Sequence, residues 1–150
     1  MILNIVENIS IKKVFTKLDL WWGYDSIQIE ERDKWKTVFI TLEGLFELIV
    51  MFFGLTNSLA IFQTIMNEIL RDLINTGEVV SFIDNIIVET KKEEGYDKVV
   101  EEVVKRLVEN NLYMKPEKYK WKMRKVRFLG VVIGLEKIKM EEEKIKSILE

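Results

Sequence analysis

Near the middle of the chain two short β-branched runs, Val79-Val80 and Ile86-Ile87-Val88, flank the tetrapeptide Phe82-Ile83-Asp84-Asn85. Runs of this composition form buried strands, and so short a connection lets them pair only as an antiparallel hairpin. Such a hairpin needs a sheet around it to cover its apolar side chains. It also carries a carboxylate, Asp84, to its tip, with an amide, Asn85, beside it.

The rest of the composition suits a single folded domain over residues 1–150. Hydrophobic residues make up 48% of the chain and charged residues 32%, a globular rather than a disordered balance. Cysteine and histidine are both absent. That removes disulfides, thiolate zinc sites and every histidine-based catalytic arrangement, and leaves carboxylates, Lys, Tyr, Ser and Thr for any chemistry. The longest apolar stretch, around Phe46–Leu55, is interrupted by Glu47 and Gly54 and is too short to span a bilayer. The start, Met1-Ile2-Leu3-Asn4, has no signal-peptide pattern, so an intracellular place (cytoplasmic or nuclear), neither secreted nor in a membrane, is expected. Net charge is −2, but the distribution is uneven. Lys115 to Arg127 is strongly basic and interleaved with aromatics, whereas residues 93–102 and 141–143 are acidic. A basic, aromatic stretch can grip a phosphate backbone or can be a solvated pair of alternating strands, and both readings stay open here.

Along the chain, Val14 to Leu20 reads as a strand ending at Asp19, Lys36 to Thr41 as a second, Leu42-Glu43-Gly44 as a turn and Phe46 to Met51 as its hairpin partner. Asn57 or Ser58 starts a helix running to about Ile74, with Ile61, Phe62, Ile65, Ile69 and Leu73 at helical spacing and Thr76-Gly77 as its stop. After the central hairpin, Glu93 to Asn110 is a second amphipathic helix through Val99, Val100, Val103, Val104 and Leu107. Trp121 to Lys125 and Val126 to Ile133 read as strands, and Glu141 to Glu150 as the beginning of a helix. This order predicts an α+β fold, helices on one face of an antiparallel sheet, with Leu18, Ile83, Ile86, Val88, Val131 and Ile133 in its core. In such a sheet Asp19 and Asp84 can lie side by side, the arrangement that two-metal phosphoryl transfer requires. Taken alone, two aspartates at strand ends are ordinary surface carboxylates.

Five segments, in order, supply context. Phe15-Thr16-Lys17-Leu18-Asp19-Leu20-Trp21-Trp22-Gly23-Tyr24 resembles the first catalytic motif of reverse transcriptases from gypsy-type LTR retrotransposons. Met51 to Gln63 resembles their template-and-nucleotide motif, and Phe82-Ile83-Asp84-Asn85 the third motif. Leu112 to Lys118 and Phe128-Leu129-Gly130 are similar to the fourth motif and the primer grip. The resemblance covers nearly the whole chain and is closest in flavour to fungal elements. It implies a polymerase palm with partial fingers and an RNA-directed DNA polymerase chemistry, the addition of dNTPs to a primer 3′-hydroxyl on an RNA or DNA template. It implies two Mg²⁺ ions, with Mn²⁺ as a substitute, held by Asp19, Asp84 and Asn85. It places Trp22, Gly23, Tyr24, Phe53 and Gly54 around the incoming nucleotide, Tyr24 as the gate against a ribose 2′-hydroxyl. It places Gln63, Phe82, Lys118, Phe128, Leu129 and Gly130 toward template or primer, with core packing the alternative for Phe53 and Phe128 and the favoured role for Phe62.

The chain also departs from that family. Asn85 stands where the family has Asp, so one of three carboxylates becomes an uncharged amide, and an impaired or lost activity is expected. The preceding fingers segment and the downstream RNase H and integrase regions are expected to be missing, as from a piece of a Gag-Pol-type polyprotein. Leu59 and Leu135 for Pro, Tyr119 for Cys, Tyr96 for His, Trp21 for Arg and Asn85 for Asp are each a single transition from the family's residue, the pattern of a degenerating copy. An inactive nucleic-acid-binding remnant and a non-functional retrotransposon fragment are therefore the alternatives.

Overall fold

The computed structural model describes residues 14–21, 23–90 and 94–134, together with the backbone of 137–140. Its centre is the antiparallel pair of β1 (Val14–Trp21) and β5 (Asn85–Thr90), in register from Val14↔Thr90 to Asp19↔Asn85. β4 (Val79–Phe82) flanks β5 as the other arm of the hairpin, with Phe82 opposite Asn85. On the other side of β1 lie β6 (Tyr113–Met114) and β7 (Lys120–Met123). A separate three-stranded sheet contains β8 (Lys125–Phe128), β9 (Val131–Gly134) and β10 (Lys137–Met140).

The two faces of the central sheet follow from the two-residue period of a strand. Val14, Leu18 and Leu20 of β1 and Ile86 and Val88 of β5 point to one side. There they meet Phe62 and Met66 of α1 (Ser58–Ile69), Leu73 of α2 (Arg71–Asn75) and Tyr96, Val100, Val103 and Leu107 of α3 (Tyr96–Glu109). Phe15 and Ile87 point the other way and form a smaller core with Val126, Phe128 and Ile133. On the helix side Tyr96 is fully buried, and its hydroxyl donates to Thr16 Oγ1, so its one polar atom is satisfied.

Of the predicted strand over 36–41, the second half, Phe39–Thr41 (β2), is extended, whereas Lys36 and Thr37 are the end of a 3₁₀ helix, Glu31–Thr37. Its alternation misleads because ion pairs at three-residue spacing, Lys34 with Glu31 and Lys36 with Asp33, favour the tighter helix. Thr37 then ties the segment down by donating to the Lys34 carbonyl at 2.7 Å and accepting from the Leu48 N–H at 2.8 Å. The partner strand begins earlier than the Phe46–Met51 reading: β3 is Gly44–Phe46, in register Phe39↔Phe46 and Thr41↔Gly44. The long helix breaks at Leu70 instead of running unbroken to Ile74. Arg106 of α3 occupies the break, donating to the Ile69 carbonyl at 3.3 Å and gripping the Asp72 carboxylate with both terminal nitrogens. Ile61, read as a core position, is exposed, and Ile83 and Val131 are only partly buried. The described part of the second helix starts at Tyr96, and the helix read over 141–150 lies outside the described residues.

Phe62 is the side chain on which the packing near the first strand's end converges. It is fully buried, and a Cβ on Gly23 would lie 2.7 Å from its Cζ. Phe62→Ala is therefore expected to cost about 3–5 kcal/mol, to be read as a lowered midpoint in urea unfolding with an unchanged slope.

Candidate functional site

β1 and β5 place Asp19 directly opposite Asn85 on the face away from the helices. Directly opposed residues of antiparallel strands hold their Cβ atoms about 4.5–5.5 Å apart, so the buried carboxylate and the half-buried amide are neighbours. The chain turns between Phe82 and Asn85 through Ile83 and Asp84, and the Asp84 carbonyl accepts from the Leu20 N–H at 3.0 Å. That bond draws the turn, and Asp84 with it, onto the end of β1. Asn85 Nδ2 donates to Asp84 Oδ1 at 3.0 Å.

Two ammonium groups complete the patch. Lys17, two residues before Asp19 on the same face, lies 3.9 Å from Asp19 Oδ2. Lys118, from the 3₁₀ turn Pro116–Lys118, lies 3.7 Å from Oδ1. The turn is tied to β1 because the Lys115 N–H donates to the Asp19 carbonyl at 2.9 Å. Among the described residues no three carboxylates gather in one place.

Beside the carboxylates stands an aromatic group. The Tyr24 ring is 5.0 Å from that of Phe62 and 6.2 Å edge-on from that of Phe53. Its hydroxyl is buried and has no hydrogen-bond partner among the described residues. Burial, and secondarily the charge of Asp84, raises its pKa above the ordinary tyrosine value. Gly23 is buried against Phe62, whereas Phe53 is 82% exposed and Gly54 has φ +116°, a conformation that favours glycine. Trp22 lies outside the described residues.

The residues read toward template and primer are more scattered. Phe82 packs on the smaller core, and Phe128 is buried in it. Only the turn Leu129-Gly130, with φ 51° and 80°, is presented at the end of the β8–β9 hairpin. Gln63 points at the back of the Asp84 hairpin, with hydrogen bonds to Ser81, Ile83 and Asn67. The reading by motif missed Lys17. The signal was its i−2 spacing from Asp19 on a strand, which puts both on one face.

Residues 3–133 match the family described as reverse transcriptase (RNA-dependent DNA polymerase). Relatives include the retrovirus-related Pol polyprotein from transposon opus of Drosophila melanogaster, 37% identical over 92% of this chain and 14% of that protein. The corresponding polyprotein from transposon gypsy of the same organism is 32% identical over 97% of this chain and 14% of its own length. The transposon Tf2-7 polyprotein of Schizosaccharomyces pombe is 31% identical over 100% of this chain and 11% of its own length. The chain thus spans between 11% and 14% of these relatives. Among solved structures, the foamy viral protease-reverse transcriptase in complex with RNA/DNA hybrid superposes with a TM-score of 0.85 at 24% identity, over 98% of this chain and 20% of that one.

Two outcomes follow from the geometry. Asn85→Asp places like charges opposite each other, so in EDTA it should lower stability by up to about 1 kcal/mol relative to the native chain, a deficit that Mn²⁺ recovers, as thermal unfolding would show. Asp84→Asn should lower the Tyr24 pKa only partway toward the ordinary value, because burial is the larger cause, as NMR titration of labelled tyrosine would show.

Proposed function

The chain belongs to the reverse transcriptase family, and from that premise we propose that it is a polymerase palm, with part of the fingers, from a retrotransposon polyprotein whose nucleotidyl-transfer chemistry is impaired. The observation that carries the proposal is the pairing of Asp19 with Asn85. In the active form of such a site, template-directed addition of a dNTP to a primer 3′-hydroxyl is supported by divalent ions between carboxylates. Asp19 and Asp84 are the carboxylates this chain offers, with Mg²⁺ the expected ion and Mn²⁺ its substitute.

The donor set does not fit two such ions. Asp19 already faces the ammoniums of Lys17 and Lys118, and one Asp84 oxygen accepts from Asn85. Two negative charges against two positive ones leave little field for divalent cations, which are held chiefly by oxygen ligands carrying charge. Lys118 is half exposed and can swing away, whereas Lys17 is largely covered and stays.

The nucleotide-binding reading rests on Tyr24. Its ring, backed by Phe62 and edged by Phe53, is a rigid wall beside the carboxylates, in keeping with a gate against a ribose 2′-hydroxyl. Gly23, whose missing side chain makes room for the Phe62 ring, is assigned to the triphosphate by resemblance, where a peptide N–H can donate. Trp22 and Gly54 complete this group by resemblance. For primer and template, the Leu129-Gly130 turn and Lys118 are the contacts we favour, with Phe82 and Phe128 supporting them from the smaller core. A second reading, an inactive nucleic-acid-binding remnant, is supported by the exposed Lys120, Trp121, Arg124 and Arg127 on β7, β8 and their connection. It predicts binding to an RNA/DNA duplex that weakens steeply with salt.

Primer extension on poly(rA)/oligo(dT) with Mg²⁺ and then Mn²⁺ decides the matter. The native chain should incorporate no more than Asp19→Ala, and Asn85→Asp should exceed both by roughly 10²–10³-fold. Extension by the native chain above the Asp19→Ala control would show that the amide is an adequate ligand and overturn the proposal.

A further inference from the structure

Gln63 makes contacts that its place in the template-and-nucleotide motif does not explain. Its Oε1 accepts from the Ile83 N–H at 2.7 Å, and its Nε2 donates to the Ser81 carbonyl at 3.1 Å and to Asn67 Oδ1 at 2.9 Å. Both amide hydrogens are therefore used inside the protein, and none is left for a template base.

The pattern of these bonds has a specific meaning. Among the described residues β4 is an edge strand, paired with β5 alone. On its free edge the Ser81 carbonyl and the Ile83 N–H point outward together. A neighbouring parallel strand would satisfy them with the N–H and C=O of one residue. The Gln63 side-chain amide supplies that same donor and acceptor, standing in for a missing strand at the point where β4 enters the turn. Ile83, the residue it holds, has φ +55°. A β-branched residue in the left-handed region is strained and persists only where its surroundings over-determine it. On the other side of the turn, the Asp84 carbonyl is held by the Leu20 N–H.

We infer that Gln63 is a positioning residue: its amide clamps Ile83 in the left-handed conformation from the α1 side and thereby sets where the Asp84 carboxylate points. The inference rests on the polymerase reading only in treating Asp84 as the group that has to be aimed. The clamp itself is a property of the fold, and it assigns Gln63 to the hairpin rather than to the template.

The test is amide hydrogen exchange by NMR on the 150-residue chain, comparing the native protein with Gln63→Met and Gln63→Glu. Methionine keeps the length and helix propensity but neither accepts nor donates as an amide does. The Ile83 amide should exchange at least tenfold faster in Gln63→Met and remain slow in Gln63→Glu, which keeps an acceptor, while Ile86, Ile87 and Val88 exchange as in the native chain. An unchanged Ile83 rate in Gln63→Met overturns the clamp. A parallel acceleration of the β5 amides overturns it too, because the side chain would then serve only the sheet. For aiming, Mn²⁺ affinity is compared in Asn85→Asp with and without Gln63→Met. At least a tenfold loss is expected, and equal affinity overturns the positioning role. If Asn85→Asp itself binds no Mn²⁺, the polymerase reading fails, and the exchange rates alone decide the clamp.

Discussion

Asp19 stands opposite Asn85 because β1 and β5 pair continuously from Val14↔Thr90, and everything near the site inherits that register. The same alternation that buries Leu18, Leu20, Ile86 and Val88 under the helices turns Lys17, Asp19 and Asn85 to the opposite face, which Phe15 and Ile87 share. A slip of one residue would exchange the two sets, exposing side chains each worth about 1.5–3 kcal/mol when buried and burying charges without partners. Burial on the helix side thus holds a polar constellation in place on the other. The ties that bring Asp84 and Lys118 to Asp19 are backbone bonds to the end of β1, from Leu20 N–H and to the Asp19 carbonyl, and they fail if that strand moves.

Much of this was legible in the residues. The strand ending near Asp19, the central hairpin, the start of α1 at Ser58 and the face of α3 through Val100, Val103 and Leu107 all follow from apolar periodicity, because burial decides them. What escaped was set by contacts between segments distant in sequence. Arg106 takes up the helix break at Leu70 from more than 30 residues away, and no local pattern announces it. The 3₁₀ segment at Glu31–Thr37 is held by charge pairs and by Leu48, so its alternation of charged and other residues imitates a strand. For the candidate site, motif order singled out Asp19, Asp84 and Tyr24. It could not tell that Gln63 faces the hairpin, because that depends on which side of α1 meets the edge of β4.

The electrostatics of the patch explain how a chain can keep this fold without its third carboxylate. With Asp at position 85, like charges would oppose each other across β1 and β5, a destabilising arrangement unless a cation relieves it. Asn85 removes the repulsion and donates to Asp84 instead, while Lys17 and Lys118 neutralise Asp19. The site is then quiet without any metal. On the proposed polymerase reading, Asn85 removes part of the field that would draw a divalent ion in, and the substitution would exchange chemistry for local stability.

The other positions read as departures by resemblance are placed in keeping with this, apart from Leu135, which lies outside the described residues. Trp21, Leu59 and Tyr119 are exposed, where a change of side chain disturbs little packing. Among those described, Tyr96 is the one placed in the core, and there its ring is fully enclosed and its hydroxyl bonded to Thr16. Leu59, near the start of α1, forgoes a rigid residue in the first turn, a cost of about 0.4–1 kcal/mol where the backbone suits proline. None of these opens a cavity or strands a charge, the mechanisms that produce large destabilisation. Stability is a sum over many contacts and absorbs such losses singly, whereas metal-assisted transfer depends on a few carboxylates at one point. On the proposed reading, a palm that accumulates substitutions would therefore lose its chemistry at a position such as Asn85 while its sheet still folds.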